Sequence, residues 1–371
     1  MRKLWEKAVK AAKTAILILL LLFCVTNMAA VSQAVYSSVL RCINVVIPSL
    51  FAMMAISSII VRSGITESLP RWFGRISRFI FGMNEAEFPI FSFGMFAGYP
   101  VGVKMLCELY SKGRISKRRA ELLSGVCFGA GPAFIFGCLS SKFWNSERIG
   151  MLIFISTISA NIVMAIGVSF LLRRTDEKKP STCRSVSITV EMLNDCVIQS
   201  GRVMAEICLM IVGFAVFNAF LVRTGIMATS GKLVAKLLYI DSSSGSTLIP
   251  ALIDITNAGS VAGGCQLLPC ISGLVSFGGL CVFIQLRTLT AGKFSLKPFI
   301  IMRAAAALMS FVICHFLIPY FIFGEAVEVA SVKVSERGAD SVISSIMLII
   351  MVIMLMLEYG KNKRYSSAYS T

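Results

Sequence analysis

Apolar runs of near membrane-crossing length recur along the chain, separated by short stretches in which lysine and arginine collect. They cover residues 15–30, 43–61, 124–139, 149–172, 203–222, 271–286, 298–323 and 342–357. At 1.5 Å per residue each helix would cross most or all of a hydrocarbon layer about 30 Å thick. Two more apolar segments, 88–106 and 247–268, break in their middles. The first reads FSFGMFAGYPVGVKML over 91–106. Gly94, Gly98 and Gly102 stand four apart, and Pro100 withholds a backbone donor and disfavours helix at Tyr99. In hydrocarbon an opened backbone is tolerated only where protein buries it or water lines it, so broken segments concentrate at transport sites. The plainer account is close helix packing through small residues four apart.

The break occurs twice. Val61-Arg62-Ser63-Gly64-Ile65 returns 161 residues later as Val222-Arg223-Thr224-Gly225-Ile226, and the same displacement carries Ala97-Gly98 onto Ala258-Gly259 and Gly102 onto Gly263. Farther on, Phe128-Gly129-Ala130-Gly131-Pro132-Ala133-Phe134-Ile135 aligns with the run from Phe277 to Ile284 at a displacement of 149. The second copy is therefore shorter by 12 residues, in the part matching the basic loop 108–119. Tandem copies with matching interruptions in a membrane chain point to a transporter-like site.

Charge supplies the topology. With an inside N-terminus and each broken segment returning to its starting face, 28 of the 36 lysines and arginines lie inside, as orientation by positive loops requires. The segment 62–81, with Arg71, Trp72, Arg75 and Arg78 among aromatics, suits the inner interface, and Ser116 is placed to cap a short helix. Each copy then holds three crossings, an odd number, so the copies have opposite orientation. The expected fold is all-α and polytopic, with about eight transmembrane helices plus two re-entrant hairpins in two inverted repeats. Its parts are an N-terminal helix and connector (1–42), repeat 1 (43–172), a basic cytoplasmic linker and helix (173–202), repeat 2 (203–323), and a last helix with a basic tail (324–371). Both termini are expected in the cytoplasm. The first apolar run reads as an uncleaved helix, with a cleaved signal peptide as the alternative.

A composition of 56 % hydrophobic and 15 % charged residues assigns the chain to membrane proteins, and the +17 net charge, spread over loops, argues for a lipid surface and against nucleic acid. No nucleotide-binding loop, hydrolase elbow or zinc-protease motif is present, so no enzyme, cofactor or metal site is expected. The 12 cysteines form no C-x-x-C pair and read as small core residues. His315, the single histidine, is a candidate only because it sits in an apolar run. Asp254 precedes a tip with Thr256 and Asn257 beside it; it either serves a site or caps the local backbone. Lys104 follows the first tip and either binds a ligand or reaches back to the cytoplasm. Opposite charges near one pseudo-two-fold axis would allow Lys104 and Asp254 to pair.

The run Gly98-Tyr99-Pro100-Val101-Gly102-x-Lys104, then Gly113-x-Ile115-Ser116, Ala120-Glu121 and Gly129-x-Gly131-Pro132-x-Phe134-Ile135, resembles the sporulation integral membrane protein YlbJ family. The likeness is clear over 47–172 and looser over 203–323, where Asp254-Ile255-Thr256-Asn257-Ala258-Gly259 stands for a hairpin that carries glutamate in the family. The resemblance implies a nucleoside-recognition Gate domain, kin to the gate region of the ferrous iron transporter B, and a role in spore development. The resulting expectation is a transporter or permease-like protein that moves a small polar solute. Its gate would be formed by Gly98, Tyr99, Pro100, Gly102, Lys104, Gly131, Pro132, Asp254, Thr256, Asn257 and Gly259. Expected partners are the lipid bilayer, that solute and spore-development membrane proteins. The alternative is a non-transporting scaffold for spore cortex assembly.

Overall fold

The computed structural model describes residues 14–15, 18–63, 71–144, 146–175, 188–261 and 265–322. The expected last helix at 342–357, both charged tails, most of the linker and Gly263 lie outside these residues. Among the described residues all regular structure is helical. Six stretches are long and apolar enough to cross a membrane: Met28–Val46, Lys117–Gly137, Glu147–Leu172, Val190–Arg223, Leu268–Thr290 and Lys297–Phe321. A shorter apolar helix covers Leu50–Ile60. The chain is an integral membrane protein with several apolar helices.

Helix α1 (Met28–Arg41) passes through one wider turn, Cys42–Val46, into α2 (Ile47–Ser63). The connector expected before residue 43 is therefore helical. Its serines do not break it because their hydroxyls bond back to the helix, as Ser37 Oγ does to the Ala34 carbonyl at 3.0 Å. An amphipathic α3 (Arg71–Phe81) leads to a helical hairpin, α4 (Glu87–Phe96) and α5 (Val101–Ser111), whose turn is the predicted break. Helix α6 (Lys117–Val126) starts at Ser116, whose side chain accepts from the Arg119 amide at 3.4 Å. After a gap, Gly131–Phe134 and the wide-turn stretch Ile135–Trp144 continue to α7 (Glu147–Leu172).

The second half follows the same order. Helix α8 (Val190–Arg223) packs along α1 and α2, and α9 (Ile226–Leu238) pairs with α10 (Ser242–Ile253). A tight stretch, Ile255–Ser260, ends that arm. Helices α11 (Leu268–Phe277) and α12 (Gly279–Thr290) meet at Gly278, and α13 (Lys297–Phe321) packs on α11 and α7. Among the described residues helix α5 and the loop after it have no counterpart there.

The basic segments meet at one end of the molecule. Arg119, 1 % exposed, donates from Nε and Nη2 to the two oxygens of Glu87, 0 % exposed, at 2.7 and 2.6 Å. It also donates to the carbonyls of Leu172 and Gly82 and to the Thr175 hydroxyl. One guanidinium thus fastens the base of the first hairpin to the ends of α6 and α7. Lys293 Nζ bonds Ser111 Oγ at 2.7 Å, and Glu121 accepts from the Ser295 amide at 3.0 Å. A buried ion pair contributes little net stability, but removing one member leaves an uncompensated charge.

Candidate functional site

Where a helix stops inside an apolar chain, its last carbonyls lose their partners and must find others. Four such stops fall at one place. The first tip, Ala97 to Pro100, lies against the gap after α6: a Cβ on Gly131 would sit 2.7 Å from the Gly98 amide nitrogen. That gap touches the stop between α11 and α12, since a Cβ on Gly278 would meet the Phe128 ring at 2.6 Å. The same stop touches the second tip, with Gly279 against the Leu252 carbonyl and the Ile255 amide.

The freed carbonyls are satisfied across the two halves. Gly278, at φ +89°, turns the chain left-handed and ends α11, and the Val275 carbonyl accepts from the Tyr99 hydroxyl of the first tip at 2.9 Å. The Phe128 carbonyl of the first half accepts from Arg303 Nη1 on α13 at 3.0 Å and from Asn161 Nδ2 at 2.9 Å. Arg303 is 0 % exposed, bonds Asn161 Oδ1 at 2.6 Å and lies 5.2 Å from the centre of the Phe128 ring. Its Nε has no hydrogen-bond partner. Sequence reasoning passed over Arg303, although the rule that singled out His315 applies to it equally. His315 is exposed on the flank of α13, with its ring against Phe316.

The first tip is packed backbone on backbone. Gly98, at φ +85°, lies against Leu50 and the Ala130 carbonyl; the Tyr99–Pro100 peptide is cis; and the Tyr99 ring is 4.7 Å from Phe128. A Cβ on Gly102 would run into the Cys127 carbonyl and come within 2.7 Å of Gly94 Cα. Pro132 stands in the first turn of Gly131–Phe134.

The second tip is held by side chains. Asp254, 3 % exposed, accepts from the Thr256 amide at 3.0 Å and its hydroxyl at 2.8 Å, the cap anticipated as its plainer role. Arg41 at the end of α1 donates to Thr256 Oγ1 at 3.1 Å and to Asn257 Oδ1. Gly259 is buried within the same tight turn. Arg41 carries no local signal in the sequence; only the tertiary fold brings it to the tip.

Lys104 is elsewhere. Its ammonium, 7 % exposed, donates to Ser58 Oγ at 2.8 Å and Ser200 Oγ at 3.4 Å, on α2 and α8. Ser58 and Arg41 lie on one helical run 17 residues apart, about 25 Å along its axis, so the expected pairing of Lys104 with Asp254 is not formed. Lys104 instead lines a pocket of about 510 Å³ with Arg62, Cys107, Glu108, Ser111, Lys112, Met192, Leu289 and Lys293. Four cations face one carboxylate there. Sequence reasoning spread these residues over the first broken segment, the interfacial segment, the linker and helix 173–202 and the loops, and had no means of joining them.

With this geometry in view, the chain is 23 % identical over 288 residues to the sporulation integral membrane protein YlbJ of Bacillus subtilis (strain 168), covering 70 % of this chain and 71 % of the relative. That is a family-level likeness to YlbJ. No family model matches the chain, and no solved structure matches it. The match agrees with the resemblance carried by the motifs from Gly98 to Ile135.

Proposed function

We propose that this chain acts in spore development, as the name of its YlbJ relative suggests, and moves a small polar solute across the membrane. The passage is closed where the four helix interruptions meet. The observation that carries this reading is the reciprocal capping: Tyr99 holds the freed Val275 carbonyl of the second half, and Arg303 holds the freed Phe128 carbonyl of the first. A scaffold needs neither broken helices nor cross-half caps of this kind. Moving one half against the other would free the Val275 carbonyl and leave the Phe128 carbonyl to Asn161 alone, opening polar backbone to a passing solute. The pocket at the base of the first hairpin is the vestibule on one side, and its excess of cations favours solutes carrying negative charge. The close glycine packing of the first tip favours the second reading, a non-conducting scaffold for cortex assembly.

Osmotic flux separates the two. Proteoliposomes holding the full chain are shocked with a panel of small neutral, cationic and anionic solutes while light scattering follows re-swelling. The transport reading expects faster entry than in empty liposomes for at least one class, anions first. Rates equal to empty liposomes across the panel would leave the scaffold.

A further inference from the structure

Glu108 is an unexpected acid in a basic pocket. It lies one helical turn after Lys104 on α5, on the same face, and its Oε2 is shielded from solvent without a hydrogen-bond partner. Arg62 approaches it from α2, Lys104 and Lys112 from its own helix and the loop after it, and Lys293 from the loop before α13. Cys107 and, from α8, Cys196 are the other titratable groups at hand. Three of these cations are held in place by neutral groups: Lys104 by Ser58 and Ser200, Lys293 by Ser111, Arg62 by Gln199. Hydroxyls and amides orient an ammonium or guanidinium but do not neutralise it. Among the described residues Glu108 forms no close ion pair either, so it shares the pocket with four cations while committed to none of them.

We propose that Glu108 is the resident counter-ion of this pocket, displaced electrostatically by an incoming anionic solute and protonated as that solute binds. The inference rests on the pocket being the vestibule of the proposed passage and adds its coupling. With the pocket empty, the ionised carboxylate offsets part of the charge of Arg62, Lys104, Lys112 and Lys293. An anion brought against those cations places two negative groups in one poorly hydrated space, where like charges disfavour joint ionisation. Glu108 then takes one proton from the aqueous side and the anion takes its share of the cations; when the anion moves on into the passage, Glu108 ionises again and releases its proton in the same direction, so that one proton crosses with each anion. A passage with no nucleotide-binding motif thereby gains a means of drawing on a proton gradient.

The test is anion binding by the full chain in lipid nanodiscs between pH 5.5 and 8, with sulfate and oxalate as probes because both keep their charge over that range. If one proton enters per anion, the dissociation constant rises toward tenfold per pH unit as pH increases. Glu108→Gln carries a permanently neutral side chain and is expected to bind with a nearly constant dissociation constant, while Lys104→Met loses binding. Proton uptake by the wild type in weak buffer, read with an indicator dye, is expected near one per anion bound and needs no variant. Equal pH slopes in wild type and Glu108→Gln, or binding without proton uptake, would overturn the role of Glu108 and leave the vestibule standing. No binding by the wild type, or binding indifferent to Lys104→Met, would overturn the vestibule and this coupling with it.

Discussion

The two tips hold corresponding places in their halves yet are built from opposite materials. The first has Gly98, Gly102 and Gly131 set against carbonyls and amides, with the Tyr99 hydroxyl as its outward bond. The second has Asp254, Thr256 and Asn257 bonded among themselves and to Arg41. The two halves share the place of the break and differ in its chemistry. A backbone-packed tip tolerates no added atom but contains no charge to rearrange. A side-chain-bonded tip can exchange partners, since each of its hydrogen bonds contributes only about 1 kcal/mol net. On these grounds the proposed gate has the first tip as its rigid wall and the second as its movable part.

The largest effect is expected at the wall. Gly102→Leu places a side chain where the Cys127 carbonyl and Gly94 already lie, an overpacking that neither backbone can relieve. A cost of about 3 kcal/mol or more is expected, read as lost yield of folded protein in detergent. Normal yield and melting temperature would show that the first tip is not tightly packed. At the movable tip, Arg41→Met removes the donor to Thr256 and Asn257 and the cation nearest Asp254; a loss of about 1 to 3 kcal/mol by thermal unfolding is expected, with the fold retained. A smaller effect is expected from Gly113→Ala, which meets nothing within 4 Å and carries only the left-handed backbone penalty at φ +68°, about 1 kcal/mol. Smallest of all is the coupling between Lys104→Met and Asp254→Asn. With separate partner sets their effects on stability should add to within about 0.5 kcal/mol, and a larger coupling in the double-mutant cycle would mean that the two regions communicate.

Much of this comparison was legible from residue types alone. Glycine and proline punctuate a helix locally, so the breaks near Gly98-Tyr99-Pro100, Gly131-Pro132 and Asp254 could be placed without a structure, and the Ser116 cap likewise, whereas 271–286 reads as one apolar run and hides the stop at Gly278. The apolar runs that became α7, α8 and α13 were legible for the same reason. What was not legible depends on which helices touch. The expected Lys104–Asp254 pair assumed that charges beside corresponding tips converge. Lys104 instead points along α5 to serines on α2 and α8, contacts separated by 46 and 96 residues in sequence. Arg41 reaches Asn257 across 216 residues, and Arg303 reaches the Phe128 carbonyl across 175. The helix over Met28–Arg41 was hidden for a different reason: serines and a glutamine interrupt the apolar run there, although serine hydroxyls in a helix bond back to it.

The central claim is that the halves must move apart where they cap each other's broken helices. In a background with the native cysteines replaced, Tyr99→Cys and Val275→Cys are bridged by a short reducible bis-thiosulfonate reagent, and solute flux into proteoliposomes is followed before bridging, after it and after reduction. The account predicts that bridging stops the flux and reduction restores it. Unchanged flux through fully bridged protein would contradict it.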